Sequence, residues 1–255
     1  MYWHESGGLT QAGQALVASL LAGLASGLGG VAAVAVPHLG RRVYDALLGF
    51  SAGIMFSAAA LTLLWPALES GSMPAVIVGL FAGGLLILGL ERVVPHLEPH
   101  FAPRLEGAGG RFAILLAAAI TLHNLPEGLS VGVAYAHGDG RFGYIVAVAI
   151  AIQNIPEGLA VALPVRASGG SRLAALLWAT GSGLVEPVAA AAGFHLVNAV
   201  QALVPFSLAL AAGAMVFVAS DQLLPESRFH PEDKAPSLAL LAGFLLVAVL
   251  MRWLP

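Results

Sequence analysis

The chain has 255 residues, of which 58% are hydrophobic and only 10% charged, and its formal net charge is -3. Soluble domains are about one quarter charged, so most of this sequence has no water to face; the lack of basic runs speaks against a nucleic-acid partner. The chain has no cysteine, which excludes disulfides, thiolate metal sites and cysteine nucleophiles.

The first residues, Met1-Tyr2-Trp3-His4-Glu5, lack the basic segment that opens a cleaved signal peptide. The first apolar run is therefore predicted to be a retained span. A spanning helix needs about 20 mostly apolar residues. Runs of that kind, parted by proline, glycine or charge, fall at 9–36, 43–66, 74–94, 112–135, 143–165, 172–197, 203–222 and 236–254. The expectation is an all-α polytopic membrane protein of about eight transmembrane helices, forming a single domain over residues 1–255. Its longest polar connection, 95–111 between helices 3 and 4, carries His96, Glu98, His100, Arg104 and Glu106.

Positive charge in short loops sets orientation. With the N-terminus outside, Arg41, Arg42, Arg92, Arg104, Arg111, Arg166, Arg172, Arg228 and Lys234 all fall on the cytoplasmic side. Only Arg141 and Arg252 fall outside. The asymmetry predicts that both termini are outside and that the 95–111 loop is cytoplasmic.

Two segments repeat at a spacing of thirty positions: His123-Asn124-Leu125-Pro126-Glu127-Gly128-Leu129 and Gln153-Asn154-Ile155-Pro156-Glu157-Gly158-Leu159. They lie mid-span in helices 4 and 5, which run in opposite directions. A fainter echo links Ala52-Gly53-Ile54-Met55 in helix 2 to Ala212-Gly213-Ala214-Met215 in helix 7. It continues as Leu64-Trp65-Pro66-Ala67-Leu68-Glu69-Ser70 beside Leu224-Pro225-Glu226-Ser227. Inverted repeats are therefore expected, helices 1–3 against 6–8 and helix 4 against 5. Repeats of this kind with proline-interrupted helices are a recurring plan among transporters, with the ion site near the midplane.

Helical spacing puts His123 and Glu127 on one face, with Asn124 beside them, and Gln153, Glu157 and Asn154 repeat the arrangement. Pro126 and Pro156 lack an N–H, which leaves the carbonyls of Leu122 and Ile152 without their helical donors. Charge at the bilayer centre is costly, about 2.5–3.5 kcal/mol per residue on insertion scales. Glu127, Glu157 and the mid-span Glu186 thus need compensation, and no Lys or Arg lies mid-span to give it. A bound dication would, and so would protonation when the site is empty. Imidazole, carboxylate and amide oxygen together suit Zn2+, Fe2+, Mn2+ or Co2+ better than Ca2+ or Mg2+.

The His-Asn-x-Pro-Glu-Gly and Gln-Asn-x-Pro-Glu-Gly pair resembles the ZIP (Zrt/Irt-like) metal transporters, the bacterial GufA-like branch above all, and the resemblance spans essentially the whole chain. It implies transport of divalent transition metals, zinc first and also iron, manganese, cobalt or cadmium, into the cytoplasm across the bacterial inner membrane. No enzymatic activity and no prosthetic group are expected; the partners are the lipid bilayer and the metal cargo, and homodimers occur in the family. The resemblance further implies a primary site from His123, Glu127, Gln153 and Glu157, with Met55 either adding a thioether or simply packing. Asn124, Asn154 and Glu186 would form an adjoining second site bridged by Glu127 and Glu157. Some members carry Asp at the position of Asn154. A neutral amide removes one anion, so one tightly held ion with a weaker neighbour is the expectation.

The same resemblance implies an elevator-like motion of one helix bundle past another, to which the small residues Gly27, Gly30, Gly79 and Gly83 could give sliding or merely static contacts. It also implies a cytoplasmic exit at His96, His100 and Asp221. His137 and Asp139 either attract cations outside or make a turn; His38, His195 and His230 have no assignment. A metal-selective channel could use the same ligands. An intramembrane protease is a weaker rival, because His-Glu-x-x-His is absent, and a serine protease would need a positioned Ser and His, for which Ser130, seven residues from His123 on a similar face, is slight support.

Overall fold

The computed structural model describes residues 9–36, 39–92, 108–137, 140–227 and 232–254. His96, His100 and Glu98 lie outside the described residues, as do His38, Asp139 and His230. The described residues hold eight long helices and no strand. They are α1 (Gln11–Ala35), α2 (Arg41–Ser70), α3 (Met73–Glu91), α4 (Ala108–His137), α5 (Arg141–Ala167), α6 (Arg172–Ala199), α7 (Val204–Glu226) and α8 (Ala235–Trp253). All but α4 are established by length and apolarity as able to cross a membrane. α4 has 30 residues, more than a span needs, and it begins at Ala108, so the last residues of the expected 95–111 loop are already helical.

Local chemistry explains the ends. Thr10 caps α1 by accepting from the Gly13 N–H, and Ser171 caps α6 by accepting from the Ala174 N–H. α5 opens after Gly140, whose φ of 79° lies in the left-handed region that glycine adopts without strain. The outward faces are apolar. Val17, Leu21, Leu24 and Leu28 form an exposed stripe on α1; Ile77, Phe81 and Leu85 do so on α3, and Leu238, Leu241, Leu245 and Val249 on α8. Helical spacing with the apolar side outward inverts the pattern of a soluble helix and fits a lipid surround.

The helices pack as two groups of four. α1 packs on α5 and α6, and α4 on α5 and α6, while α2 packs on α8 and α3 on α7. The groups meet where α2 touches α5 and where α7 touches α4. Each contact is made twice. A Cβ on Gly53 would run into the Leu240 carbonyl, and one on Gly213 into the Leu80 carbonyl; Gly243 meets Phe50 as Gly83 meets Leu210. Gly158 of α5 meets the Ser26 carbonyl of α1, as Gly128 of α4 meets the Glu186 carbonyl of α6. The equivalent residues of helices 1–3 and 6–8 lie one hundred and sixty positions apart. Gly23 and Gly183 face each other between α1 and α6. The expected relation of helices 1–3 to 6–8 and of helix 4 to helix 5 is thus a relation of three-dimensional contacts.

The faint echo between helices 2 and 7 has a structural counterpart. α2 widens into a π-helical stretch at Ala58–Leu64 just before Pro66, and α7 does the same at Ala219–Leu223 before Pro225. A proline has no N–H for the carbonyl four residues earlier, and a π turn lets the chain absorb the mismatch.

Gly27 and Gly30 pack against Thr180 and Ala179 of α6, and Gly79 and Gly83 against Phe206 and Leu210 of α7. Those contacts lie inside each group of four and not at a surface between the groups. At one end of the second group, Arg41 pairs with Asp45 at 2.7 Å and with Glu226 at 3.0 Å, tying α2 to α7. Glu226 is half-exposed, and exposed pairs are worth about 0–1 kcal/mol. Asp45, by contrast, is buried, with 5% of its side chain exposed, so Arg41→Gln strands that carboxylate and is expected to lower the melting temperature of the detergent-solubilised protein well beyond what an exposed pair would cost.

Candidate metal centre

The two repeated segments lie on α4 and α5, and both helices continue through their prolines without a break. α6 does break: its helix ends at Gly183 and restarts at Val185, because Pro187 cannot donate to the Gly183 carbonyl. The restart puts Glu186 in a first helical turn, between α1 and α4. Gly23 on α1 leaves room for its carboxylate, and Gly128 on α4 leaves room for its backbone.

His123, Asn124, Glu127, Gln153, Asn154, Glu157 and Glu186 are all buried, the most exposed being His123 at 4%. The amide nitrogens serve as anchors. Asn124 Nδ2 donates to the Ser182 carbonyl at 2.7 Å, and Asn154 Nδ2 to the Ala22 carbonyl at 2.8 Å, one bond repeated by the pseudo-symmetry. Asn154 Nδ2 also donates to Glu186 Oε1 at 2.6 Å, and Gln153 Nε2 to Glu127 Oε1 at 2.5 Å. These bonds join α4 to α5 and α5 to α6 through the predicted residues themselves.

What the anchors leave over has one chemical character. Both ring nitrogens of His123, the carbonyl oxygens of Asn124, Gln153 and Asn154, Glu127 Oε2, Glu186 Oε2 and both carboxylate oxygens of Glu157 are buried without a hydrogen-bond partner. Buried polar atoms are rarely left so, and each costs about 1–3 kcal/mol. Among the described residues no Lys or Arg is buried to satisfy them. Lone pairs of nitrogen and oxygen without donors are what a cation recognises. As they stand, two of the carboxylates are paired with amides, and among the described residues no three His, Asp or Glu side chains form a group that could hold a metal ion.

Met55 of α2 is fully buried, as is Met215, its equivalent on α7. Asp221 is exposed and lies in the π stretch of α7, where its charge acts on Glu91 at the end of α3. Gln222 donates to Glu91 Oε1. The sequence singles out Asp221 but neither Glu91 nor Gln222, because only the antiparallel pairing of α3 with α7 brings them together. Nor does it single out Ser51, whose hydroxyl donates to the Gln153 carbonyl at 3.2 Å. The Ser130 hydroxyl donates to the backbone carbonyl of Glu127 at 2.6 Å, within its own helix, which leaves it unsuited to the role of a nucleophile activated by His123. His195 lies edge-on to the neighbouring Phe194 ring, away from the centre's hydrogen bonds. A cavity of ≈ 460 Å³ lies between α1, α5 and the end of α4, reaching Ala22. Its lining is largely apolar.

Residues 104–251 match the family model described as ZIP Zinc transporter. The zinc transporter GufA of Myxococcus xanthus is 39% identical over 250 residues, which cover 93% of this chain and 98% of that protein. Zinc transporter ZIPB of Bordetella bronchiseptica is 40% identical over 241 residues, covering 89% and 76% of the two chains. Zinc transporter ZupT of Corynebacterium efficiens is 40% identical over 257 residues, covering 91% and 93%. The chain belongs to the ZIP family. It is a multi-pass membrane protein, of the inner membrane in bacteria, and a divalent-metal transporter, not an enzyme.

Proposed function

We propose that this protein carries Zn2+, and with it other borderline cations such as Fe2+, Mn2+, Co2+ and Cd2+, into the cytoplasm through the centre on α4 and α5. The observation that carries this reading is the set of buried imidazole, carboxylate and amide lone pairs left without donors between α4, α5 and α6. The names of the relatives support zinc as the first cargo.

On this reading the cation gives up water for His123, Glu127, Gln153 and Glu157, and Glu186 with Asn124 and Asn154 offers a weaker second position. The amide–carboxylate bonds from Gln153 to Glu127 and from Asn154 to Glu186 hold the carboxylates apart until a cation draws them together. The chain is oriented with both termini outside, and release is to the side of the 95–111 loop, past Asp221 with His96 and His100. The two groups of four helices suit an alternating-access mechanism in which the α1, α4, α5 and α6 group carries the site past α2, α3, α7 and α8. Glycine contacts keep each group tight within itself, so displacement falls at the α2–α5 and α4–α7 seams.

The test is uptake of radioactive zinc into proteoliposomes. Saturable, strongly temperature-dependent uptake is expected, and His123→Ala is expected to lose it; ohmic currents in a bilayer recording would point to a pore instead. Ligation needs neutral imidazole and ionised carboxylate, so protons compete with the metal. Lowering the external pH is expected to raise the apparent KM for zinc. A KM that does not change between neutral and mildly acidic pH would count against these ligands.

A further inference from the structure

Hydroxyl groups buried in apolar helices usually turn back on their own backbone. Among the described residues Ser19 donates to Ala15, Thr62 to Ala58, Ser130 to Glu127 and Ser182 to Ala179, while Ser26, Ser57 and Ser207 find no partner. Ser51 does neither. It is fully buried on α2, and its hydroxyl crosses the seam between the two groups of helices to the backbone carbonyl of Gln153 on α5.

The pseudo-symmetry makes this departure informative. The position equivalent to Ser51 on α7 is Ala211, also fully buried. Methyl packing alone therefore satisfies the fold at this place, and the hydroxyl of Ser51 is an addition on one side only. It lands on the residue that carries a predicted metal ligand. Met55 lies four residues on, on the same face of α2 and one turn away. Ile54 packs in one buried cluster with Ala149, one turn before Gln153, so α2 and α5 run antiparallel at this seam. Helical side chains lean toward the helix N-terminus, which tilts the Gln153 amide toward the level where Met55 stands.

We infer that Ser51 is a positioning residue for metal discrimination: its bond to the Gln153 carbonyl sets the register of α2 on α5 and holds the Met55 thioether at the edge of the centre. A thioether is a soft ligand and favours Cd2+ over Zn2+ relative to an all-N/O set. The inference rests on the metal-carrier reading above and adds the element that tunes it.

The readout is the ratio of Cd2+ to Zn2+ transport efficiency in proteoliposomes, measured for the intact protein, Ser51→Ala, Ser51→Thr, Met55→Ala, the Ser51→Ala Met55→Ala double variant and Ala211→Ser, with uptake by Glu127→Ala measured alongside. Ser51→Ala is expected to shift the ratio toward Zn2+ by about three-fold or more, the order that one neutral hydrogen bond supports. Met55→Ala shifts it the same way, and Ser51→Ala adds nothing in the Met55→Ala background. Ser51→Thr, which keeps the hydroxyl, restores the ratio, and Ala211→Ser leaves it unchanged. A ratio unmoved by Ser51→Ala but moved by Met55→Ala overturns the role of Ser51 and leaves the centre standing. If neither variant moves it while Glu127→Ala abolishes uptake, both Met55 and Ser51 are bystanders and the inference fails. Uptake persisting in Glu127→Ala refutes the centre itself, and the inference with it.

Discussion

Glu157→Ala is expected to reduce zinc uptake by about 100-fold or more in protein that still reaches the membrane. Loss of a partner that merely orients a metal ligand already costs about 10–100-fold in affinity or activity. Glu157 holds two oxygens without donors, more free ligand capacity than any other carboxylate of the centre. It is also free of the side-chain bonds that occupy one oxygen of Glu127 and one of Glu186. Alanine removes charge and both oxygens, and no neighbouring acid replaces them. Glu157→Gln keeps one oxygen and nearly the same volume, so it should fold as well as the native protein and transport weakly. Uptake, zinc affinity by calorimetry and surface abundance need to be measured together. Native-like uptake from Glu157→Ala at native abundance would remove this residue from the site.

The second large effect concerns packing. Gly158→Val is expected to prevent α1 from docking on α5. A Cβ at Gly158 would collide with the Ser26 carbonyl, and from the facing side one at Gly29 would collide with the Ile155 carbonyl. These are backbone atoms of two long helices, so no side chain can rotate away. Overpacking a core typically costs about 1–3 kcal/mol, and two β-branch methyls on top of that Cβ exceed what the interface can absorb. The same docking carries the Asn154 to Ala22 bond, so the centre is lost with the packing. Gly181→Val and Gly89→Val are the controls, since nothing lies within 4 Å of a Cβ at either place. Thermal unfolding in detergent should show Gly158→Val strongly destabilised or unfolded and both controls near native. A native melting temperature for Gly158→Val would mean that α1 and α5 are less closely packed than described.

These two effects are unequally legible in the residues themselves. The buried polar residues of α4 and α5 were legible because charge in an apolar run is expensive, and a repeated Asn-x-Pro-Glu-Gly segment in an apolar helix has no cheap structural explanation. Glu186 was legible for the same reason. The contact partners of glycine were not. Gly27, Gly30, Gly79 and Gly83 are small residues on helix faces whatever they touch, and only the fold places them inside the two groups. Ser51 carried no signal at all, because a serine in an apolar helix ordinarily bonds to its own backbone.

Composition and apolar run lengths by themselves determined that this is a helical membrane protein, since unsatisfied backbone cannot cross lipid and about 20 residues set the span. The two proline motifs by themselves determined the identities of the chief polar residues. Tertiary structure alone decided which glycines of helices 1–3 and 6–8 meet which carbonyls, that Glu91 and Gln222 join Asp221, and that the amide nitrogens of Asn124, Asn154 and Gln153 are spent on anchors while their oxygens are left free. The reason is physical. Burial cost acts on each residue separately and is written in its type, whereas hydrogen-bond direction and close approach belong to pairs far apart in the chain and exist only once the helices are packed.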